Sequence, residues 1–185
     1  MTSYGQMMVR SAEAFATAAH EAVRQRRKYT GEPYIVHPRH VHGLVVGRHG
    51  ITWEGECAAW LHDVVEDTGV ASETIGRFFG DRVERLVKSL TNVPKGFGNR
   101  KARFEANLAK LADAEPEAQT VKLADLISNT STIVVHDPWF AMIYLREKER
   151  TLGVLEHGDT ALQAICRQTL EQSWARLAEK GYVRH

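Results

Sequence analysis

Apolar residues recur along most of the chain at three- and four-residue intervals, the spacing that lines one face of a helix. Alternating runs bounded by Asn-Gly or Asp-Gly turns, which would signal strands, do not occur. Ser11 to Arg27 predicts a first helix with Phe15, Ala18, Ala19, Ala22 and Val23 on one face. Pro38 suits the first turn of a second, where its missing N–H costs nothing, and Val41, Leu44 and Val45 follow before Gly47 and Gly50 end it. Thr52 is a good N-cap for a third, running through Ala58, Ala59 and Leu61 to about Val65. Ser72 caps a short fourth that Gly80 stops, and Asp81 opens a fifth with Val83, Leu86, Val87 and Leu90 at core spacing. Asn92 to Asn99 reads as a loop. Helices over Arg100 to Ala112, after Pro116, from about Trp139 to Leu155 and from Thr160 to Lys180 complete the pattern. With no repeat period and no Pro/Gly/Ser linker, it predicts one all-α domain over residues 1–185, of roughly eight to ten helices.

Composition then removes some classes of function. Of 185 residues, 43% are hydrophobic and 25% charged, the balance of an ordinary globule. Lys and Arg total 24 against 23 Asp and Glu, a formal charge of +1, so a nucleic-acid partner is not expected and any anion site is a local cluster of cations. Cys57 and Cys166 make no disulfide framework, which fits a reduced compartment. No signal-like apolar run opens the chain, and none approaches the roughly 20 residues of a membrane span. The expectation is a soluble cytoplasmic protein without a membrane partner.

Four stretches carry chemistry. In Leu61 to Thr68, the ionisable groups His62, Asp63, Glu66 and Asp67 crowd the end of an otherwise apolar helix. His62 and Glu66 fall at i and i+4 and share a face, while His62 and Asp63 lie about 100° apart, within reach of one ion. The plainer reading is a solvated helix end. His37 precedes the Pro38 that opens a helix, a restricted backbone that suits either an aimed ligand or a helix-entry residue capping its own turn. Asp125, Asn129 and Thr132 stand at i, i+4 and i+7, a polar stripe that reads as site residues or as a core hydrogen-bonded network. Arg24, Arg26, Arg27 and Lys28 precede the Gly-Glu-Pro-Tyr turn, where guanidinium groups can pair with phosphate and stack on a base, or simply face solvent. Taken together, His37, His62, Asp63 and Asp125 offer two imidazoles and two carboxylates. Mixed N/O ligation of this kind suits Mn²⁺, with Fe²⁺ or Zn²⁺ as substitutes, and neither cysteine lies in these motifs. Glu66 and Asp67 sit one turn on, where a carboxylate can orient water or manage its proton. His20, His40, His42 and His49 do not form a second metal pattern: His20 falls mid-helix among alanines, and His40 and His42 read as facing solvent or phosphate.

In this order the pieces resemble the hydrolase domain of the RelA/SpoT family, a branch of the HD superfamily, from Arg26 to about Thr132. Arg27-Lys28 with Gly31 to Pro38, the His62-Asp63-x-x-Glu66-Asp67-Thr68 signature, and Lys122-Leu123-Ala124-Asp125 with Asn129 carry it. The length resembles that of stand-alone small alarmone hydrolases of the stringent response. The resemblance implies an HD-domain helical bundle with one Mn²⁺ on His37, His62, Asp63 and Asp125, and Glu66 and Asp67 serving hydrolysis. It implies substrate binding by Arg27, Lys28, Thr30, Lys122, Asn129 and Thr132, with Tyr144 a further carry-over. Water then removes the 3′-pyrophosphate of ppGpp or pppGpp, giving pyrophosphate and the nucleoside 5′-di- or triphosphate, in a monomer or small homo-oligomer. Two departures fall on nucleoside-facing elements: Asp125-Leu126-Ile127-Ser128-Asn129 replaces the usual Asp-Arg-Leu-His-Asn, and Tyr29-Thr30 adds a position before Gly31. They keep ppApp and pppApp open beside the guanosine nucleotides. The alternatives are an HD-type nucleotidase or phosphodiesterase, and a nucleotide-binding module without catalysis.

Overall fold

The computed structural model describes residues 3–182, apart from the side chains of Ser131 and Thr132. Among them are ten α-helices and no sheet: α1 (Tyr4–Ala22), α2 (Val36–Val45), α3 (Trp53–Leu61), α4 (Val64–Thr68), α5 (Ser72–Phe79), α6 (Asp81–Leu90), α7 (Arg100–Ala112), α8 (Pro116–His136), α9 (Pro138–Val154) and α10 (Thr160–Glu179). The all-α expectation holds, and the loop expected over residues 92–99 contains a single 3₁₀ turn at Lys95–Phe97.

The middle of the molecule is α8. Val121, Leu123, Ala124 and Leu126 are buried on it together with Gln119, Asp125 and Ser128, so little of the helix faces water. A helix enclosed on most sides belongs inside, and α2, α3, α6, α9 and α10 all pack on it. Its buried polar groups do structural work. Gln119 donates its side-chain amide to the Leu111 carbonyl at 3.0 Å and accepts from the His157 N–H at 2.8 Å, joining the end of α7 to the α9–α10 connection. Glu117, beneath α3, accepts from Arg82 and from the Thr52 N–H.

Four local expectations are corrected. The first helix starts at Tyr4, ahead of Ser11, because Ser3 and Gln6 form a reciprocal capping box. It ends at Ala22, since Arg24 takes a left-handed backbone (φ 53°), and the basic stretch becomes a tight turn closed by an Arg26–Pro33 bridge. The third helix breaks between Leu61 and Val64, so His62 and Glu66 are not successive turns of one helix. The His62 imidazole bonds the Ala59 carbonyl at 2.8 Å, the acceptor that residue 63 would use if the helix continued. Ser72 begins α5 rather than capping it, and its hydroxyl donates to Glu84 at 3.2 Å. Thr52 flanks α3 as expected, but its side chain makes no cap bond.

Candidate active site

Three elements converge on one buried point. α2 brings His37 at its first turn, the α3–α4 break brings His62, and the middle of α8 brings Asp125, all three buried. One ligand atom from each lies within 4.8 Å of the others. The two Nε2 atoms face one another at 3.2 Å, and Asp125 Oδ1 is 3.2 Å from that of His37. Asp63 Oδ2 stands 3.1 Å from His62 Nε2 and 3.5 Å from His37 Nε2, so all four sequence-predicted ligands share one neighbourhood.

The donor set suits a cation. The Ala59 carbonyl only accepts, so His62 carries its hydrogen on Nδ1 and turns the Nε2 lone pair inward. His37 is engaged through Nδ1 at 2.9 Å by Ser128 Oγ, which also meets His40 Nδ1 at 3.0 Å. Two imidazole nitrogens and two carboxylates are thus aimed at one another, with both imidazoles and Asp125 buried. Such a cluster needs a proton or a positive ion at its centre. Burial opposes a charge on His62, but Asp63, Asp125 and the Ala59 carbonyl outweigh it and push the imidazole up to about 9. Against their own burial, Asp63 is held below the usual carboxylate range chiefly by His62, and Asp125 chiefly by Lys122. The result is a buried His/His/Asp cluster suited to a divalent metal ion.

Around it, nearly every sequence-predicted residue has a fixed partner. Asp125 accepts from Lys122 Nζ at 2.7 Å and from Asn129 Nδ2 at 2.6 Å, and the Asn129 amide oxygen accepts from Arg27 at 3.0 Å. Glu66 accepts twice from Asn92, from the backbone at 3.0 Å and the side chain at 3.1 Å. Asp67 accepts from the Gln25 amide at 2.8 Å. Its carboxyl is raised by the surrounding protein; Gln25 opposes that, while Asp63 and Glu66 add to it.

These groups open onto a cavity of about 420 Å³, lined among others by Arg27, Lys28, Thr30, Asp63, Glu66, Asp67, Lys122, Asp125, Asn129 and Tyr144. Ligand sites usually span about 300–1,000 Å³. Lys28 Nζ lies 4.8 Å from the Tyr29 ring centre and 5.7 Å from that of Phe140, with Phe140 also in the wall. Thr30 sits exposed on the turn. The side chain of Thr132 lies outside the described residues.

Several residues of the site escape sequence reasoning. Tyr34 donates to Asp63 Oδ2 at 2.5 Å, and its ring packs 4.6 Å from that of His20. His20 is buried in the last turn of α1, not mid-helix, and contacts Gln25 at 2.6 Å, so it supports Asp67 through that amide. His42 pairs with Glu56 at 2.9 Å and stacks on Trp60, instead of facing solvent or phosphate. Ser128 and Lys148 are also missed. The only sequence signal for Gln25 and Tyr34 is that they lie within or beside the basic turn.

Known proteins bear on this site. The HD domain family matches residues 12–181. The guanosine-3′,5′-bis(diphosphate) 3′-pyrophosphohydrolase of Aquifex aeolicus is 34% identical over 136 residues, which are 73% of this chain and 19% of that protein. The guanosine-3′,5′-bis(diphosphate) 3′-pyrophosphohydrolase MESH1 of Mus musculus is 38% identical over 122 residues, 63% of this chain and 65% of its own. The chain thus spans about a fifth of the first relative and less than two thirds of the second. Among solved structures, a metazoan ortholog of SpoT that hydrolyses ppGpp superposes with a TM-score of 0.79 at 25% identity, covering 89% of this chain and 94% of that one. Among the described residues, no helix is long and apolar enough to cross a membrane.

Proposed function

The chain belongs to the HD-domain family and is related to the RelA/SpoT-type (p)ppGpp hydrolases, and from that premise we propose that it removes the 3′-pyrophosphate of alarmone nucleotides. The substrates are ppGpp and pppGpp, or their adenosine counterparts ppApp and pppApp. The products are pyrophosphate and the nucleoside 5′-di- or triphosphate. One observation carries the reading: Asp63 and Asp125, the carboxylates of the buried cluster, line the same cavity as the Arg26–Thr30 turn, so metal and nucleotide chemistry share one space.

In this reading His37, His62, Asp63 and Asp125 hold one Mn²⁺, for which Fe²⁺ or Zn²⁺ can substitute. Bound there, the cation supplies Lewis acidity toward phosphoryl oxygen and makes water acidic enough to act at neutral pH. The remaining work falls to side chains. Glu66, fixed by its two bonds from Asn92, orients the attacking water. Asp67, its carboxyl raised by burial and by Asp63 and Glu66, accepts the proton that the water gives up. The new P–O bond forms as the bond from phosphorus to the 3′ oxygen breaks, and that oxygen takes up a proton. Arg27, locked by Asn129, and Lys28, between Tyr29 and Phe140, flank the base, with Thr30 and Thr132 beside the nucleoside. Lys122 holds Asp125, and Tyr144 closes the pocket. The enzyme works in the cytoplasm as a single domain, monomeric or in a small homo-oligomer.

The deciding experiment is a substrate panel with Mn²⁺: ppGpp, ppApp, deoxynucleotides and cyclic dinucleotides, with products resolved by chromatography. Pyrophosphate released from a 3′-pyrophosphorylated nucleotide, and abolished in a folded Asp63→Ala protein, is the expected result. Turnover confined to other nucleotides, or undiminished in that variant, overturns the reading.

A further inference from the structure

Two cations in the cavity wall have no task in the proposed mechanism, Arg26, which is exposed, and Lys148, which is not. Lys148 lies on α9, largely shielded from solvent, and no carboxylate among the described residues comes within ion-pair distance of it. Its ammonium rests 4.9 Å from the centre of the Tyr144 ring. The other inward cations are committed: Lys122 to Asp125, and Arg27 to Asn129. Beside Lys148, the Tyr144 hydroxyl is buried; the Thr130 hydroxyl is its side-chain neighbour but donates to the Leu126 carbonyl, and no hydrogen bond of good geometry reaches the phenol. Two donors, one of them charged, therefore share a wall with no acceptor between them. Shielding an ammonium and orphaning a hydroxyl both cost free energy that a bound acceptor would return.

The missing acceptor is an anion with several oxygens. A base or a ribose would serve the hydroxyl but leave the ammonium unneutralised, whereas one phosphoryl group satisfies both. The place in the cavity narrows the choice further. Lys148 lines the same cavity as Asp63, Lys122 and Asp125, the residues at and beside the buried cluster. Burial and the repulsion of Lys122 hold its ammonium down to about 8, with Asp125 partly offsetting them. Burial likewise raises the Tyr144 phenol, which stays protonated and free to donate.

We propose that Lys148 and the Tyr144 hydroxyl form a phosphate subsite for the outer phosphoryl group of the substrate's pyrophosphate, and for the pyrophosphate product. The assignment rests on the hydrolase reading for its substrate, but the subsite can be tested without turnover.

The probe is inorganic pyrophosphate, titrated by calorimetry into the Mn²⁺-loaded protein. Lys148→Met is expected to weaken binding about tenfold or more, roughly 1.4 kcal/mol per factor of ten, with metal content unchanged. Lys148→Arg recovers most of the loss, and Tyr144→Phe weakens binding a few-fold. On the wild-type protein, pyrophosphate with Mn²⁺ is expected to protect Lys148 from an amine-acylating reagent, read by peptide mass spectrometry. That keeps the test decisive should Lys148→Met fail to fold. Wild-type affinity in a folded Lys148→Met protein, no pyrophosphate binding by the wild type, or acylation of Lys148 unaffected by pyrophosphate each overturns the subsite. Pyrophosphate binding that depends on Lys148 without turnover of any 3′-pyrophosphorylated nucleotide overturns the hydrolase reading and leaves the subsite standing.

Discussion

Gln25 donates its side-chain amide to Asp67 Oδ2 at 2.8 Å while its amide oxygen meets His20 Nδ1 at 2.6 Å. The carboxylate accepts, so the amide NH₂ faces Asp67 and the amide oxygen faces His20, which then carries its hydrogen on Nδ1. A buried imidazole at the end of α1 thereby fixes which end of Gln25 meets the carboxylate that the mechanism uses as its base.

Gln25→Leu removes that support. A hydrogen bond to a charged group is worth about 1.5–3 kcal/mol, so kcat should fall on the order of tenfold or more with KM nearly unchanged. The pH profile gives a second reading. Gln25 lowers the Asp67 carboxyl against the raising effect of burial, Asp63 and Glu66, so its loss lets that carboxyl rise. The base is then protonated at higher pH, and the acid limb of kcat should move upward. A purely structural defect would lower the whole profile without displacing the limb.

Removing the metal tests the mutual approach of His37 and His62. Their Nε2 atoms stand 3.2 Å apart, with both Nδ1 atoms engaged. A cation on these atoms adds about 2.7 kcal/mol of stability at a hundredfold excess over its Kd, on the order of 5–10 °C for a chain of this size. Chelation should therefore abolish turnover and lower Tm by that order while leaving the helical circular dichroism intact, because the apolar burial of Val121, Leu123 and Leu126 on α8 does not depend on the ion. Elemental analysis should return near one ion per chain, and His62→Ala should lose both the ion and the Tm gain. A Tm indifferent to chelation would count against a resident metal.

Arg27 and Asn129 make a separate prediction for nucleotide binding. The guanidinium donates to the Asn129 amide oxygen at 3.0 Å, and the same amide donates to Asp125 at 2.6 Å. Loss of either partner frees the other, so Arg27→Ala and Asn129→Ala should not add. A double-mutant cycle on KM is expected to show a coupling of about 0.5–3 kcal/mol. Additivity within about 0.5 kcal/mol would mean that the two residues act on the substrate independently.

What was legible in the chain was what local rules govern. Helical periodicity and the Gly and Pro breaks between periodic stretches reported the all-α fold, and the residue types at His37, His62, Asp63 and Asp125 reported a donor set before any distance was known. The break after Leu61 was not legible, because it depends on an imidazole taking a backbone carbonyl from its own helix. Ser128 read as a departure from a familiar motif, yet it is the hydroxyl that engages His37, 91 residues away. Gln25 and Lys148 carry no motif. Their roles come from what the fold sets beside them, a carboxylate in one case and a ring with an unpartnered hydroxyl in the other.

Lys148 also leaves a mark on stability in the absence of any ligand. Burial and Lys122 hold its ammonium down to about 8, against Asp125 and Glu147, while in the unfolded chain it titrates near an ordinary lysine's value of about 10.4. Below pH 8 both states carry the proton, and the folded protein bears the full penalty of the shielded charge. Between pH 8 and roughly 10.4 the unfolded chain binds more protons than the folded one, so this lysine's contribution to stability rises with pH across that window. Lys148→Met removes the penalty altogether. The variant should therefore melt above the wild type at pH 7, by a margin on the order of 1–3 kcal/mol at most, and the gap should close as pH is raised toward 10. Thermal melts of both proteins without metal or phosphate, at pH 7, 8.5 and 10, measure it directly. A gap that stays constant, or widens with pH, would show that the Lys148 ammonium is not confined as the structure has it.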